Sequence, residues 1–133
     1  MFEKISHIGV AVKDIEASTG LFRKLFGKEP DRAEELHEHK VRTAMFNIGT
    51  SSIELTEALD LESPIAKFIE KRGEGVHHVS FLVDDIEKEL ARLKLAGFEI
   101  IDERPRTGAD GFLVAFLHPK STNGVLIEIS QKR

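Results

Sequence analysis

Two histidines and two glutamates occupy matched places in the two halves of this 133-residue chain. His7 and His78 stand near the start of similar alternating stretches, 71 residues apart. Glu54 sits between Ile53 and Leu55, and Glu128 sits between Ile127 and Ile129. Side chains alternate across a strand, so each of the four projects opposite its apolar neighbours. If helices cover the apolar face, each half sends one imidazole and one carboxylate to the other face. A pseudo-twofold pairing of the halves then brings all four together. Two imidazoles and two carboxylates make a nitrogen–oxygen set suited to a divalent metal such as Co²⁺, Mn²⁺, Ni²⁺ or Zn²⁺. In an octahedral field two positions stay open for substrate. A single strand His is usually structural, and a single strand Glu usually faces water. The recurrence of both types in both halves tips the reading toward a metal site.

The remaining chemistry is bounded by composition. There is no Cys, which excludes disulfides, iron–sulfur clusters, thiolate zinc and a Cys nucleophile. There is no Trp or Tyr, so acid–base work falls to His, Asp, Glu and Lys. His77 points opposite to its neighbour His78 and reads as a packed residue. His37, His39 and His118 lie outside the repeat, and His118-Pro119 reads as the end of a strand. The net charge of -4 and the lack of a basic cluster argue against nucleic acid as a partner. No apolar run approaches the roughly 20 residues of a membrane helix, so no membrane association is expected. The start of the chain offers no signal-peptide core, and a cytoplasmic setting is the default expectation.

The elements that must position these groups recur as well. Ser6-His7-Ile8-Gly9-Val10-Ala11-Val12-Lys13-Asp14-Ile15-Glu16 aligns with His77-His78-Val79-Ser80-Phe81-Leu82-Val83-Asp84-Asp85-Ile86-Glu87. Lys24-Leu25-Phe26-Gly27 meets Lys94-Leu95-Ala96-Gly97, Ala44-Met45-Phe46 meets Ala115-Phe116-Leu117, and Ile53-Glu54-Leu55 meets Ile127-Glu128-Ile129. Two repeats are too few for a solenoid, so the halves should pair into one body. Each half reads as strand, helix, then strands. Asp14 caps a helix running to Gly27, with Ile15, Phe22 and Leu25 near one face. Extended segments follow at 40–48 and 51–56. Asp85 caps a second helix through Gly97 on an Ile86, Leu90 and Leu93 stripe, followed by strands at 112–117 and 125–130. Ser63-Pro64 starts a connecting helix with an Ile65, Phe68 and Ile69 face, ended by Gly73. The expected organisation is one domain of two modules, approximately 4–58 and 74–131, joined by a helical linker at approximately 63–72.

These residues resemble the vicinal oxygen chelate superfamily, which has His on the first strand and Glu on the last of each paired half. The fold this implies is α+β, with two paired βαβββ modules forming a half-barrel around a metal. Within it, the chain is most similar to the methylmalonyl-CoA epimerase family, from Ile5 to Gln131. The stretches that carry the resemblance are Ser6 to Val12, Asp60-Leu61-Glu62-Ser63-Pro64-Ile65-Ala66-Lys67-Phe68 and Gly73-Glu74-Gly75-Val76-His77-His78-Val79. With them go Phe116-Leu117-His118-Pro119-Lys120-Ser121 and Gly124-Val125-Leu126-Ile127-Glu128. By position, the family's ligands fall on His7, Glu54, His78 and Glu128. Two departures stand out. Thr43 occupies a position where some members carry a Glu proposed as an acid/base group. Gly108-Ala109-Asp110-Gly111 replaces a common Gly-Ala-His-Gly.

The chemistry this resemblance implies is removal and return of the proton at C2 of methylmalonyl-CoA, interconverting the 2R and 2S epimers. A divalent ion, Co²⁺ first, would act as Lewis acid toward the thioester and carboxylate oxygens and stabilise an enolate. Inversion needs proton transfer on both faces of that enolate. Glu128 is the first choice for one face and Glu54 for the other, with Asp110 and His39 as alternatives. Asp110 beside Gly also reads as a turn former. Lys120 and Ser121 are candidates for contacts with the substrate carboxylate or the CoA phosphates. The resemblance implies a homodimer acting on an acyl-CoA of propionate metabolism. The nearest rival is a glyoxalase I-like lyase or isomerase acting on a thiol conjugate through the same four ligands. An extradiol dioxygenase would use two His and one carboxylate with iron, leaving Glu54 in the way. A drug-sequestering binding protein of the same fold would not need the full ligand set.

Overall fold

A computed structural model describes all residues, 1–133. The order of elements repeats strand, helix and three strands twice, with one helix between the repeats. The first set is β1 (Phe2–Ala11), α1 (Ile15–Phe26), β2 (Arg32–Leu36), β3 (Val41–Ile48) and β4 (Ser51–Ala58). The connecting helix is α2 (Pro64–Arg72). The second set is β5 (Gly75–Val83), α3 (Ile86–Leu95), β6 (Arg106–Thr107), β7 (Leu113–Leu117) and β8 (Ile127–Gln131). The eight strands hydrogen-bond in the order β2-β3-β4-β1-β5-β8-β7-β6. No helix is long and apolar enough to cross a membrane.

The helix starts follow the chemistry of their caps. Asp14 accepts from the backbone N–H groups of Glu16 and Ala17, and Asp85 accepts from that of Lys88. The Ser63 hydroxyl does the same for Ile65, with Pro64 in the first turn. These side chains satisfy amides that have no partner inside the helix. Gly27 closes α1 at a φ of 68°, a left-handed conformation that a β-carbon would disfavour.

Two compact units result, and they do not follow the repeats. One unit joins residues 1–7 to 78–133, and the other spans 8–77. In the first, α3 lays Ile86, Leu90 and Leu93 against Val83, Ala115, Leu117 and Ile129. In the second, Ile15 of α1 packs with Val12, Ala44, Phe46 and Leu55, joined by Phe22 and Phe26. A separate cluster in the same unit sets Ile65 of α2 against Ala11 and Val41.

Three details depart from the sequence reading. Leu25 is exposed, and Phe26 takes the inward place assigned to it. At about 100° per residue, Phe26 lies about 20° from Ile15 around the helix, whereas Leu25 lies about 80° away. Strands β2 and β6 were not evident from hydropathy. They are the two outermost strands, and Arg32, Glu34 and Glu35 give β2 the charged character that discourages edge-to-edge pairing. The last strand begins at Ile127 rather than Val125.

Candidate metal and active site

The sheet face that carries the expected ligands is buried as well, and polar side chains stand on it. On β1, His7, Gly9 and Ala11 are buried, while Ile8 and Val10 on the other face are only half-buried. His78 and Ser80 on β5, and Glu128 and Ser130 on β8, follow the same two-residue period. The sequence parity therefore holds, but this polar face is no wet surface.

In the unit formed by 1–7 and 78–133, three of the expected ligands converge. The Nε2 atoms of His7 and His78 are 3.1 Å apart, and their rings meet edge to face. Glu128 Oε1 lies 3.2 Å from His7 Nε2. All three side chains are buried. The Ser6 hydroxyl stands 3.3 Å from His7 Nδ1, the far side of the ring. That contact turns Nε2 toward the cluster, the usual task of a group behind a metal-binding His. Phe116 packs edge-on against the His78 ring from β7, directly across from Glu128 in the β7–β8 pairing. Its apolar ring limits how His78 can rotate.

The electrostatics of Glu128 are set by opposing causes. Burial pushes its carboxyl pKa up. The contact with His7, the charges of His7 and His78, and the Ser80 hydroxyl outweigh burial and bring it down to about 2. The carboxylate is thus ionised at neutral pH. Its Oε1 is fully buried yet has no aligned hydrogen bond, although it lies within ion-pair distance of His7. A buried, ionised oxygen without a hydrogen bond is costly unless something else satisfies it. Adjacent ligands about 2.1 Å from an octahedral ion stand about 3.0 Å apart. The spacings of 3.1 and 3.2 Å around His7 Nε2 fit that requirement.

The fourth expected ligand, Glu54, is on β4 in the unit spanning 8–77, and it too is buried. It pairs across β3–β4 with Met45, and Thr56 follows it on the same face. Thr43 is buried directly opposite Thr56, whose hydroxyl oxygen has no hydrogen-bond partner. No carboxylate occupies the Thr43 position.

The other candidates are held in local structure. Asp110 is exposed, at a φ of 57° in the short turn Ala109–Gly111. His39 is half-buried in the turn between β2 and β3. The Lys120 ammonium pairs with Glu99 at 2.9 Å, and the Ser121 hydroxyl accepts from the Glu99 N–H at 2.9 Å. His118 caps that segment by accepting from the Lys120 N–H. His77 stacks edge to face on Phe68 of α2, the packed role expected for it. Sequence reasoning gave no role to Ser80 or Ser6. Ser80 carried a readable signal, since it lies two residues beyond His78 and so on the same face.

Comparison with known proteins follows this geometry. Residues 6–116 match the family model described as "Glyoxalase/Bleomycin resistance protein/Dioxygenase superfamily". The ethylmalonyl-CoA/methylmalonyl-CoA epimerase of Cereibacter sphaeroides is 37% identical, over 98% of this chain and 99% of that protein. A variant of Streptomyces coelicolor methylmalonyl-CoA epimerase, solved in complex with 2-nitronate-propionyl-CoA, is 34% identical with a TM-score of 0.96. That match covers 99% of this chain and 96% of the other. A methylmalonyl-CoA epimerase in complex with methylmalonyl-CoA and NH4+ matches equally well, at 34% identity and a TM-score of 0.96, over 99% and 96% of the two chains.

Proposed function

Because the chain belongs to the methylmalonyl-CoA epimerase family, within the glyoxalase/bleomycin resistance protein/dioxygenase superfamily, we propose that it interconverts the 2R and 2S epimers of methylmalonyl-CoA. The observation that carries this is the buried meeting of His7, His78 and Glu128, three ligand-type side chains with an ionised carboxylate among them. Glu54, buried on β4 and the repeat counterpart of Glu128, is taken as a further ligand. In this reading His7, Glu54, His78 and Glu128 hold one divalent ion, Co²⁺ in first place, with Mn²⁺, Ni²⁺ and Zn²⁺ as alternatives.

When bound, the ion supplies Lewis acidity to the thioester and carboxylate oxygens of the substrate. The protein's own residues do the rest. His7 and His78 present Nε2 lone pairs, which requires both rings to be neutral in the loaded state. In one direction Glu128, as the carboxylate, takes the C2 proton from one face while a protonated Glu54 delivers a proton to the opposite face; in the reverse direction the two exchange roles. Thr43 is not a carboxylate base, so a Glu on β3 is not available for that step. Asp110 and His39 remain the second choices for it. Lys120 and Ser121, already engaged with Glu99, fit a role in shaping the loop better than one in gripping a phosphate.

The proposal includes a homodimer working in the cytoplasm on acyl-CoA from propionate metabolism, with modules 4–58 and 74–131 as duplicated halves. Light scattering on the purified protein tests the dimer. The reaction itself is tested by hydrogen exchange at C2 of methylmalonyl-CoA in D₂O, with metal-loaded and chelator-treated protein. Metal-dependent exchange with interconversion of both epimers is the expected result. Absence of exchange by metal-loaded protein overturns the reading and directs attention to thiol-conjugate substrates.

A further inference from the structure

Phe116, whose ring packs edge to face on His78, is held in place by a side chain from outside the sheet. The segment before β6 runs beside β7, with Ile100 bridged to Leu117 in the antiparallel sense. The His118 N–H donates to the Glu99 carbonyl and the Ile101 N–H to the Phe116 carbonyl, both at 2.8 Å. Residues that face each other in such a bonded pair normally exchange two hydrogen bonds. Here the return bond is different, because the Phe116 N–H donates to Asp102 Oδ2 at 2.7 Å. The carboxylate thus stands in for a strand carbonyl where this pairing ends. Its Oδ1 lies 3.3 Å from Arg106 Nε, and the Asp102 side chain is only 12% exposed. A carboxylate acceptor makes a charge-assisted bond, roughly twice as strong as a neutral one. Both polar groups of the Phe116 backbone therefore point away from β8. That makes Phe116 and Glu128 a cross-strand pair without mutual hydrogen bonds, the kind whose side chains stand closer together. The two share a face of the sheet, and the Phe116 ring meets the His78 ring with centroids 5.8 Å apart.

We propose that Asp102 is a positioning residue for His78, acting through Phe116. By fixing the Phe116 backbone it seats the ring that limits the rotation of the His78 imidazole, with Nε2 toward His7. Every step of this path is a contact: carboxylate to backbone N–H, ring to ring, and His78 Nε2 to His7 Nε2 at 3.1 Å. Arg106 on β6 steadies the carboxylate from its other oxygen. Without Asp102 the Phe116 N–H loses its acceptor in a part-buried place, and β7 must shift or admit water to satisfy it. Either change moves the ring and frees His78 to turn. Groups that orient a ligand from behind contribute about 10- to 100-fold to metal affinity, and an indirect one belongs at the lower end. This inference rests on the reading of His78 as a ligand.

The test is isothermal titration of the full chain with Co²⁺, with the visible spectrum of bound Co²⁺ as a second readout. Asp102→Ala should weaken Co²⁺ binding about 10-fold and alter the spectrum. Asp102→Asn, which keeps an acceptor oxygen, should stay within about threefold of the parent. Phe116→Leu, which keeps apolar volume without the ring edge, should lose about as much as Asp102→Ala. Because the carboxylate acts through the ring, the double variant should bind no worse than either single one, a failure of additivity. Thermal unfolding of the metal-free proteins separates a loss of fold from a loss of orientation. If Asp102→Ala does not fold, Asp102→Glu, which displaces the carboxylate by one methylene, takes its place with the same expectation. Parent-like affinity and spectrum in that variant, or losses that add in full with Phe116→Leu, overturn the inference while leaving the ligand reading intact, provided His78→Ala has lost the metal. Parent-like affinity in His78→Ala, or no binding by the parent, overturns both.

Discussion

His7 Nε2 and His78 Nε2 face each other at 3.1 Å, with 71 positions of sequence between them. Two imidazole nitrogens at this distance either share one proton or aim both lone pairs at one cation. Glu128 Oε1, 3.2 Å from the same His7 atom, adds a carboxylate oxygen to the pair. His7→Ala and His78→Ala should each reduce Co²⁺ affinity by more than about 100-fold, beyond the range of an outer-shell change. The fold should survive, because the two apolar clusters beneath α1 and α3 contain neither residue. Metal analysis after dialysis, with circular dichroism as the control, checks this. Full occupancy in both variants would remove the ligand assignment.

Glu128 and Asp110 should differ sharply in the exchange assay. Glu128→Gln keeps the shape of the side chain and removes its basicity, and C2 exchange should fall at least about 100-fold. Asp110 is exposed in a turn, and Asp110→Ala should change the rate by less than about fivefold if it is a turn former. A loss in Asp110→Ala equal to that in Glu128→Gln would move the second acid/base role to Asp110.

Acid should expose the stabilising role of Glu128 in the metal-free protein. Its folded pKa is depressed to about 2, against 4.5 for the unfolded group. A depressed carboxylate adds stability above the unfolded value, and that stability is lost as pH falls through the folded one. The contribution is at most about 3 kcal/mol, at 1.36 kcal/mol per pKa unit. The stability gap between the parent and Glu128→Gln should therefore narrow between about pH 4.5 and pH 2. Urea unfolding at stepped pH measures it, and a gap that is flat over this window contradicts the electrostatic account.

The two neighbouring residues at the end of α1 offer a packing test. Phe26 contacts the apolar cluster beneath the helix, and its ring centroid is 5.4 Å from that of Phe46. Leu25 is 68% exposed. Phe26→Ala should cost about 2–4 kcal/mol, toward the lower part of the range for a partly buried ring. Leu25→Ala should stay within about 0.5 kcal/mol. Equal costs would show that α1 is rotated from the orientation described.

Much of this architecture was legible because its signals are local. Asp14, Asp85 and Ser63-Pro64 announce helix starts through side-chain chemistry that acts over two or three residues. The parity of His7, His78, Glu54 and Glu128 follows from strand geometry alone. The misses have the opposite origin. β2 and β6 exist because a neighbouring strand offers them hydrogen bonds, and charged residues such as Arg32 and Glu35 carry no hydropathy signal for that. The apolar spacing from Ile15 places Leu25 near the inward face, and Phe26 beside it satisfies the helix phase better. The face of Ser80 is readable from its place two residues beyond His78, but its position across from Glu128 comes only from the β5–β8 register, which no spacing along the chain encodes.

The unit that contains His7, His78 and Glu128 is assembled from the first seven residues and the last fifty-six, residues 78–133. During synthesis its opening strand must wait while the intervening segment and then β5 to β8 leave the ribosome. Glu128 lies on the last strand to appear. A chain that stops short of β8 therefore lacks one member of this trio, however well its first half has collapsed. Completion of the trio is thus a late event of synthesis.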